Sequence, residues 1–250
     1  MKTTWETTIK IALCTTGRVL LFLLLPVLVQ SCTRSQKEII RVSGSSTVLP
    51  VVSKAADLFM LNNADLMITV SAGGSGVGVN QVGEKIVQIG MISRNVTNEE
   101  IKKFPDVHFV EHIIGRDAVA VSVSSEIYDA GIQALKIENI RSIFKGKTKN
   151  WKELGGPDKD ILVIDKEKGR GTRHVFMEAI FGNKNENAPG ADLVLGSNNE
   201  ELTALTQSNS AIGMLSLAWL NNDVKGVGIT EKGNTVFPSK QALSDGTYPV

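Results

Sequence analysis

The sequence is poor in cysteine and in aromatic residues, and both shortages exclude classes of protein. Its 250 residues contain two cysteines, Cys14 and Cys32, and no C-x-x-C pair. This count excludes a disulfide scaffold and a cysteine zinc site. Aromatic residues make up 5% of the chain and the formal net charge is +1, so we expect no nucleic-acid partner. The three histidines do not group with other ligand types, and we predict no metal and no cofactor.

Long apolar runs are also missing, which bears on the membrane. The longest run, residues 19–29, has 11 residues, whereas a spanning helix needs about 20. A basic segment precedes this run, and Leu-Val-Gln-Ser-Cys ends it at Cys32, similar to the bacterial lipoprotein processing box. We expect residues 1–31 to be a lipoprotein signal peptide, Cys32 to carry lipid and residues 32–37 to form a tether. The alternative is an ordinary signal peptide, or a buried apolar helix, with an incidental cysteine.

Beyond the leader, short apolar runs alternate with helical stretches, which indicates an α/β fold. Residues 39–42, 107–114 and 118–123 are predicted strands, and the last of these is apolar except for Ser122, which predicts a central strand. Residues 50–61 carry a broad apolar stripe at helical spacing, which predicts a helix.

Three short segments place Gly, Ser and Thr where a helix should begin. They are G-S-S-T at 44–47, G-G-S-G-V-G at 73–78 and G-R-G-T at 169–172. The start of a helix has unpaired N–H groups and a partial positive charge, which attract oxyanions. Each segment directly follows a predicted strand, where ligands of α/β sheets bind. Together they predict a small tetrahedral anion held in a cleft between two α/β lobes.

The order and spacing of further segments are similar to one known family. The segments are R-V-S-G-S-S-T-V-L-P (41–50), S-A-G-G-S-G-V-G (71–78), I-G-M-I-S-R (89–94), I-F-K-G-K-T-K-N-W-K-E-L-G-G (143–156), G-R-G-T-R (169–173), A-I-G-M-L-S-L (211–217) and D-G-T-Y-P (245–249). The chain resembles the substrate-binding protein of the bacterial phosphate ABC importer, a type II periplasmic binding protein. The resemblance covers nearly all of residues 40–250.

The resemblance implies a two-lobed fold in which each lobe has a mixed, mostly parallel sheet flanked by helices. Residues 38–121 with 225–250 are expected to form the first lobe and residues 122–224 the second. It also implies a role: a monomer that closes on inorganic phosphate outside the cytoplasmic membrane and delivers it to an inner-membrane ABC permease, without catalysis. By position, the phosphate ligands would include Ser46, Thr47, Ser75, Gly76, Gly171 and Thr172.

Three departures from the family pattern change the expected pocket. Gln88 stands where the family usually has an aspartate, Lys166 where it has an arginine, and Arg170 where it has a serine. If all three face the ligand, the pocket has lost a carboxylate and gained cations, which predicts weaker discrimination against sulfate. The alternative is that Arg170 points to solvent. Arg94 and Arg173 lie either near the cleft or in ion pairs between the lobes.

Other functions stay open at the level of sequence. The chain ends at Val250, soon after D-G-T-Y-P, where family members usually continue. We therefore keep a degenerate, truncated paralogue with a sensing or scaffold role as an alternative. A binding protein for another oxyanion such as sulfate is a second alternative. A secreted hydrolase that uses one of the serines is less favoured, because no G-x-S-x-G turn is present.

Overall fold

Strands and helices alternate along the chain, as the apolar runs predict. The computed structural model describes residues 37–250. The strands are β1 (Glu38–Gly44), β2 (Leu66–Ala72), β3 (Ile89–Met91), β4 (Val119–Ser124), β5 (Ala134–Lys136), β6 (Leu162–Lys166), β7 (Leu193–Leu195), β8 (Ala211–Ser216), β9 (Val224–Gly226), β10 (Gly228–Glu231) and β11 (Asn234–Val236). The helices are α1 (Leu49–Asn62), α2 (Ser75–Gly83), α3 (Asn98–Lys103), α4 (Ser125–Asp129), α5 (Ile137–Phe144), α6 (Gly171–Phe181), α7 (Asn198–Gln207) and α8 (Lys240–Ser244).

The strands form three sheets that divide between two lobes. Their orders are β2-β1-β3, β7-β6-β8-β4-β9 and β11-β10-β5. The pairs β1–β3, β6–β7, β6–β8 and β10–β5 are parallel, whereas β4 is antiparallel to both of its neighbours. We call residues 38–103 the first lobe and residues 119–250 the second lobe. The lobes touch, and Ile39–Val250 forms one compact unit.

The main hydrophobic core lies in the second lobe. Every residue of β4 and β8 is buried, because these strands pair with each other and have paired strands on both sides. Phe144 and Phe176 pack with ring centroids 5.0 Å apart, and Trp151 is fully buried. The largely apolar run at 118–123 therefore forms an interior strand, as predicted.

The division into lobes differs from the expected one. The sequence places residues 225–250 in the first lobe, but β10 pairs with β5, and Ile229 and Tyr248 are buried in the core of the second lobe. The expected boundary at residue 121 also cuts through β4, whose partners β8 and β9 belong to the second lobe. Strand pairing over long sequence separations, which local patterns do not encode, sets this boundary.

The first lobe leaves apolar side chains exposed, among them Leu61 (79%) and Val51 (62%), and so does the segment at 104–118 that follows it. The expected strand at 107–114 is absent, because its backbone pairs with no described strand, and Ile113 is 89% exposed.

Within residues 37–250, no helix has both the length and the apolarity to cross a membrane. The predicted signal peptide and Cys32 lie outside the described residues.

Candidate functional site

The first glycine-serine segment forms a tight turn at the end of β1. Gly44 has φ of 140°, and a Cβ there would lie 2.1 Å from the carbonyl oxygen of Met91, so only glycine fits. The Ser45 N–H donates to that carbonyl (2.8 Å). The Ser45 Oγ accepts from the Thr47 N–H (3.2 Å) and donates to the Ser93 Oγ (3.0 Å). The turn is thereby fixed to the end of β3.

The second segment begins helix α2 beside this turn. Its first residue, Ser75, is fully buried. The Ser75 Oγ accepts from the Ser93 N–H (3.1 Å) and lies 3.3 Å from the Ser93 Oγ. Sequence reasoning did not select Ser93 or Ser45, although both lie in the segments that carry the family resemblance. Their signal was the same as that of the selected serines, a polar residue directly after a strand.

The third segment brings helix α6 of the second lobe to the same place. The Thr172 Oγ1 lies 3.2 Å from the Thr47 Oγ1, and the Gly76 N–H donates to the carbonyl of Gly169 (3.1 Å). A Cβ on Gly171 would lie only 2.2 Å from the Ser93 Oγ. The three segments therefore meet where the lobes touch, as the sequence predicted.

We call the resulting group of side chains the hydroxyl cluster. It consists of Ser45, Ser46, Thr47, Ser75, Ser93 and Thr172. No carboxylate in the described residues hydrogen-bonds to it. The beginnings of α2 and α6 meet there, so backbone N–H groups and hydroxyls, rather than charged side chains, dominate the site.

A further helix, α7, also begins at the cluster. Its first residue, Asn198, is fully buried, and its Nδ2 donates to the Thr47 Oγ1 (3.1 Å). Its backbone N–H donates to the Ser46 Oγ (3.4 Å). Sequence reasoning missed this helix start. The signal was present, because Gly196-Ser197-Asn198 directly follows β7, the same pattern of strand, glycine and polar residues as in the other turns.

Lys166 does not supply a free positive charge to the site. Its side chain is 2% exposed and forms an ion pair with Glu201, which is fully buried. The Lys166 Nζ also lies 3.4 Å from the carbonyl oxygen of Ser197. Burial raises the pKa of the Glu201 carboxyl, and the Lys166 ammonium opposes that rise. The expected point charge is thus neutralised by a partner that the sequence pattern does not reveal.

Arg170 bridges the lobes but is also paired. Its Nε donates to the Glu167 Oε2 (2.9 Å), and its side chain is 18% exposed. A Cβ on Gly74 would lie 2.6 Å from the Arg170 Cδ, so the arginine packs directly on the second turn. Arg170 therefore does not extend into solvent, and its charge is matched by Glu167.

Gln88 does not join the site. It is exposed, and its Oε1 accepts from the Arg41 N–H (2.8 Å) at the start of β3. The hydroxyl cluster lies beyond the other end of that strand, where Ser93 is five residues further along, roughly 16 Å in extended chain. The inference that the pocket has lost a carboxylate at position 88 therefore has no structural basis. The pocket has gained no free cation from Lys166 or Arg170 either.

Arg94 and Arg173, the other two arginines expected near the cleft, form ion pairs within their own lobes rather than between them. Arg94 binds both carboxylate oxygens of Glu100 (2.9 and 2.7 Å), and Arg173 binds both oxygens of Asp165. Although burial disfavours its charged form, Glu100 has a pKa below the ordinary value because of Arg94. These pairs fix the chain on either side of the hydroxyl cluster.

A cavity of about 810 Å³ opens between residues 94–98 and residues 174–185. No side chain of the hydroxyl cluster lines it. Burial, followed by the nearby Arg94, lowers the pKa of His174 in its wall to about 4. Within residues 37–250, no group of three or more His, Cys, Asp or Glu side chains is placed to hold a metal ion.

Known proteins are similar to this chain in sequence. The phosphate-binding protein PstS of Bacillus subtilis is 35% identical over 210 residues, which are 84% of this chain and 66% of that protein, just under two thirds of its length. PstS of Borreliella burgdorferi is 29% identical over 239 residues, which are 93% of this chain and 83% of that protein.

Solved structures agree with the sequence relatives. A Clostridium perfringens protein described as a phosphate ABC transporter substrate-binding protein with bound phosphate superposes with a TM-score of 0.74 at 28% identity, covering 85% of this chain and 83% of that one. A phosphate transport receptor from Vibrio cholerae gives 0.61 at 25% identity, covering 84% and 82%. The model of the PBP superfamily domain matches residues 30–250. The chain belongs to the PBP superfamily, and the expected two-lobed α/β fold is confirmed.

Proposed function

We propose that this protein binds inorganic phosphate at the hydroxyl cluster and presents it to an ABC permease outside the cytoplasmic membrane. The observation that carries the proposal is the meeting of α2 and α6, one from each lobe, within a set of hydroxyls joined by hydrogen bonds. The names of the relatives from Bacillus subtilis and Borreliella burgdorferi support the choice of ligand.

The chemistry of the cluster suits a compact oxyanion. Helix starts and hydroxyls donate hydrogen bonds from several directions, as four tetrahedral oxygens require. Hydroxyl oxygens also accept hydrogen bonds, so the cluster can bind a phosphate that keeps a proton. The charge of the ligand would be balanced by helix dipoles and oriented donors, because Lys166 and Arg170 are paired with carboxylates.

Lobe closure would couple binding to transport. The contacts Thr47–Thr172 and Gly76–Gly169 join residues of different lobes and hold this closed arrangement. An anion bound between α2 and α6 would favour the closed state by its differential affinity, and a permease would recognise that state.

Titration of the purified protein with phosphate tests the proposal. Thr172→Val removes a cluster hydroxyl at nearly constant volume, and we expect at least about tenfold weaker phosphate binding. Thr203→Val is the matched control, because Thr203 is exposed on α7 and its hydroxyl contacts only the carbonyl of Asn199. If wild-type protein does not bind phosphate, or if both variants bind as wild type, the proposed site is wrong.

We further propose that the protein is a monomer held at the membrane by lipid on Cys32. The sequence of the leader supports the lipid anchor, and the family resemblance supports the monomer. Cys32→Ser should move the protein from the membrane fraction to the soluble fraction of expressing cells. Retention of the variant in the membrane fraction would exclude the lipid anchor.

The site also favours binding over catalysis. In the described chain, no histidine or carboxylate hydrogen-bonds to Ser46 or Ser75, so neither serine has the base that a hydrolytic nucleophile needs. We therefore propose no enzymatic role. Release of phosphate from a simple phosphate ester by the purified protein would contradict this.

A further inference from the structure

Asn198 contacts the hydroxyl cluster, and the binding of phosphate by helix starts does not by itself explain its position. It is the first residue of α7 and contacts the first lobe through two groups, 151 and 152 residues away in the chain. Its Nδ2 and its backbone N–H are both used, on Thr47 and Ser46. Of its side-chain polar atoms, only the oxygen has no hydrogen-bond partner among the described residues.

That oxygen, Oδ1, is buried and accepts no hydrogen bond from any residue that the structure describes. The whole residue is 0% exposed. A buried polar atom without a partner costs free energy, and such atoms are rare unless a ligand or water satisfies them. Because the amide nitrogen of the same group bonds to Thr47, the oxygen lies beside the hydroxyl cluster.

Contacts with β6 and β8 hold the start of α7 in place. Lys166 contacts the carbonyl oxygen of Ser197 and pairs with Glu201 one turn along α7. The Glu201 Oε1 in turn accepts from the Met214 N–H of β8 (2.5 Å). Asn198 is therefore a fixed acceptor on a braced helix, rather than a side chain free to turn toward another partner.

We propose that the Asn198 Oδ1 accepts a hydrogen bond from the P–OH group of a bound hydrogen phosphate, and that Asn198 thereby selects protonated phosphate over sulfate. This inference rests on the proposed function. Phosphate carries at least one proton at neutral pH and can donate to this oxygen, whereas sulfate carries none. Sulfate would set an anionic oxygen against the lone pairs of a buried acceptor, which is unfavourable.

Two substitutions distinguish the role of Asn198 as a hydrogen-bond acceptor from its role in the contact between the lobes. Asn198→Leu removes the acceptor and the donor. Asn198→Asp keeps an acceptor, loses the donor to Thr47 and adds negative charge. Asn199→Leu is the matched control, because Asn199 is the next residue on the same helix and is exposed. Each protein is titrated with inorganic phosphate and, separately, with sulfate.

We expect wild type to prefer phosphate and Asn198→Leu to bind it at least about tenfold more weakly, with a much smaller change for sulfate. The preference for phosphate should persist or increase in Asn198→Asp, whatever its absolute affinity. Asn199→Leu should match wild type for both anions.

Equal weakening of both anions in Asn198→Leu, or a preference in Asn198→Asp that falls below wild type, would show that Asn198 only joins the lobes and would overturn the inference. Thermal unfolding checks that the variants fold, and if Asn198→Leu does not, the preference in Asn198→Asp decides. Failure of wild type to bind phosphate at all is a separate result, which refutes the proposed function and this inference with it.

Discussion

The Oγ1 atoms of Thr47 and Thr172 lie 3.2 Å apart, although 125 residues separate them in the chain. Thr47 follows β1 of the first lobe, and Thr172 lies in the first turn of α6 in the second lobe. The Thr47 hydroxyl also accepts from Asn198, so one side chain of the first lobe meets two helix starts of the second. This contact brings the turns at 44–47 and 169–172 together in one site.

Gly171→Ala should disrupt the site by crowding. The added Cβ would lie 2.2 Å from the Ser93 Oγ and 2.5 Å from the Ser75 Oγ, so the two lobes would have to separate or the serines turn away. Overpacking of this kind costs about 1–3 kcal/mol, and the same loss in binding free energy would weaken phosphate binding roughly 5-fold to 140-fold.

Gly115→Ala is the matched control for Gly171→Ala. No atom lies within 4 Å of the added Cβ, and the residue is exposed. Isothermal titration of both variants with phosphate checks the prediction. Unchanged affinity in Gly171→Ala would mean that the cluster does not hold the ligand as proposed.

Removal of one partner of the buried Lys166–Glu201 pair should destabilise the second lobe strongly. Glu201→Leu leaves a buried ammonium without its counter-charge, and we expect a loss of about 3–5 kcal/mol in the free energy of unfolding. Combining it with Lys166→Met should restore much of that loss, because no unpaired charge remains. Urea unfolding measures both. A double variant as unstable as the single one would contradict a role through charge pairing.

His174 should make stability depend on pH in the acid range. Its pKa is lowered to about 4, whereas an unfolded histidine titrates near 6.5, so the unfolded state takes up the proton first as the pH falls. The stability that neutral His174 contributes is therefore complete above about pH 6.5 and is lost progressively toward pH 4.

Unfolding midpoints in urea, measured from pH 7 to pH 4, test this expectation. His174→Gln should flatten the decline relative to wild type. His108→Gln should not, because His108 is exposed. If the unfolding midpoint falls with pH equally steeply in the two variants, His174 is not the group responsible.

Gln88→Asp should leave anion binding unchanged. Gln88 is exposed at the start of β3, and its side chain contacts the backbone of Arg41 rather than the hydroxyl cluster. We expect phosphate and sulfate affinities within about twofold of wild type, because surface charges far from a site are largely screened by salt. A large gain in selectivity for phosphate would restore the role that the family pattern assigned to this position.

The missed features of the site have one physical origin. Strand, turn and helix boundaries follow from hydrophobic period and glycine placement, so the segments at 44–47, 73–78 and 169–172 were recognisable. The partners of Lys166 and Arg170 are side chains that only folding brings near. Gln88 matched a family position by sequence, but its place at the start of β3 put it at the far end from the ligand turns.

The sequence by itself determined the α/β alternation and the three helix starts that attract an anion, because these depend on interactions between near neighbours in the chain. Only the tertiary structure decided that residues 225–250 belong to the second lobe, that Lys166 is neutralised by Glu201, and that Asn198 meets Thr47. Those relationships join residues far apart in the chain, and strand pairing and burial of charge select them only when the whole fold has formed.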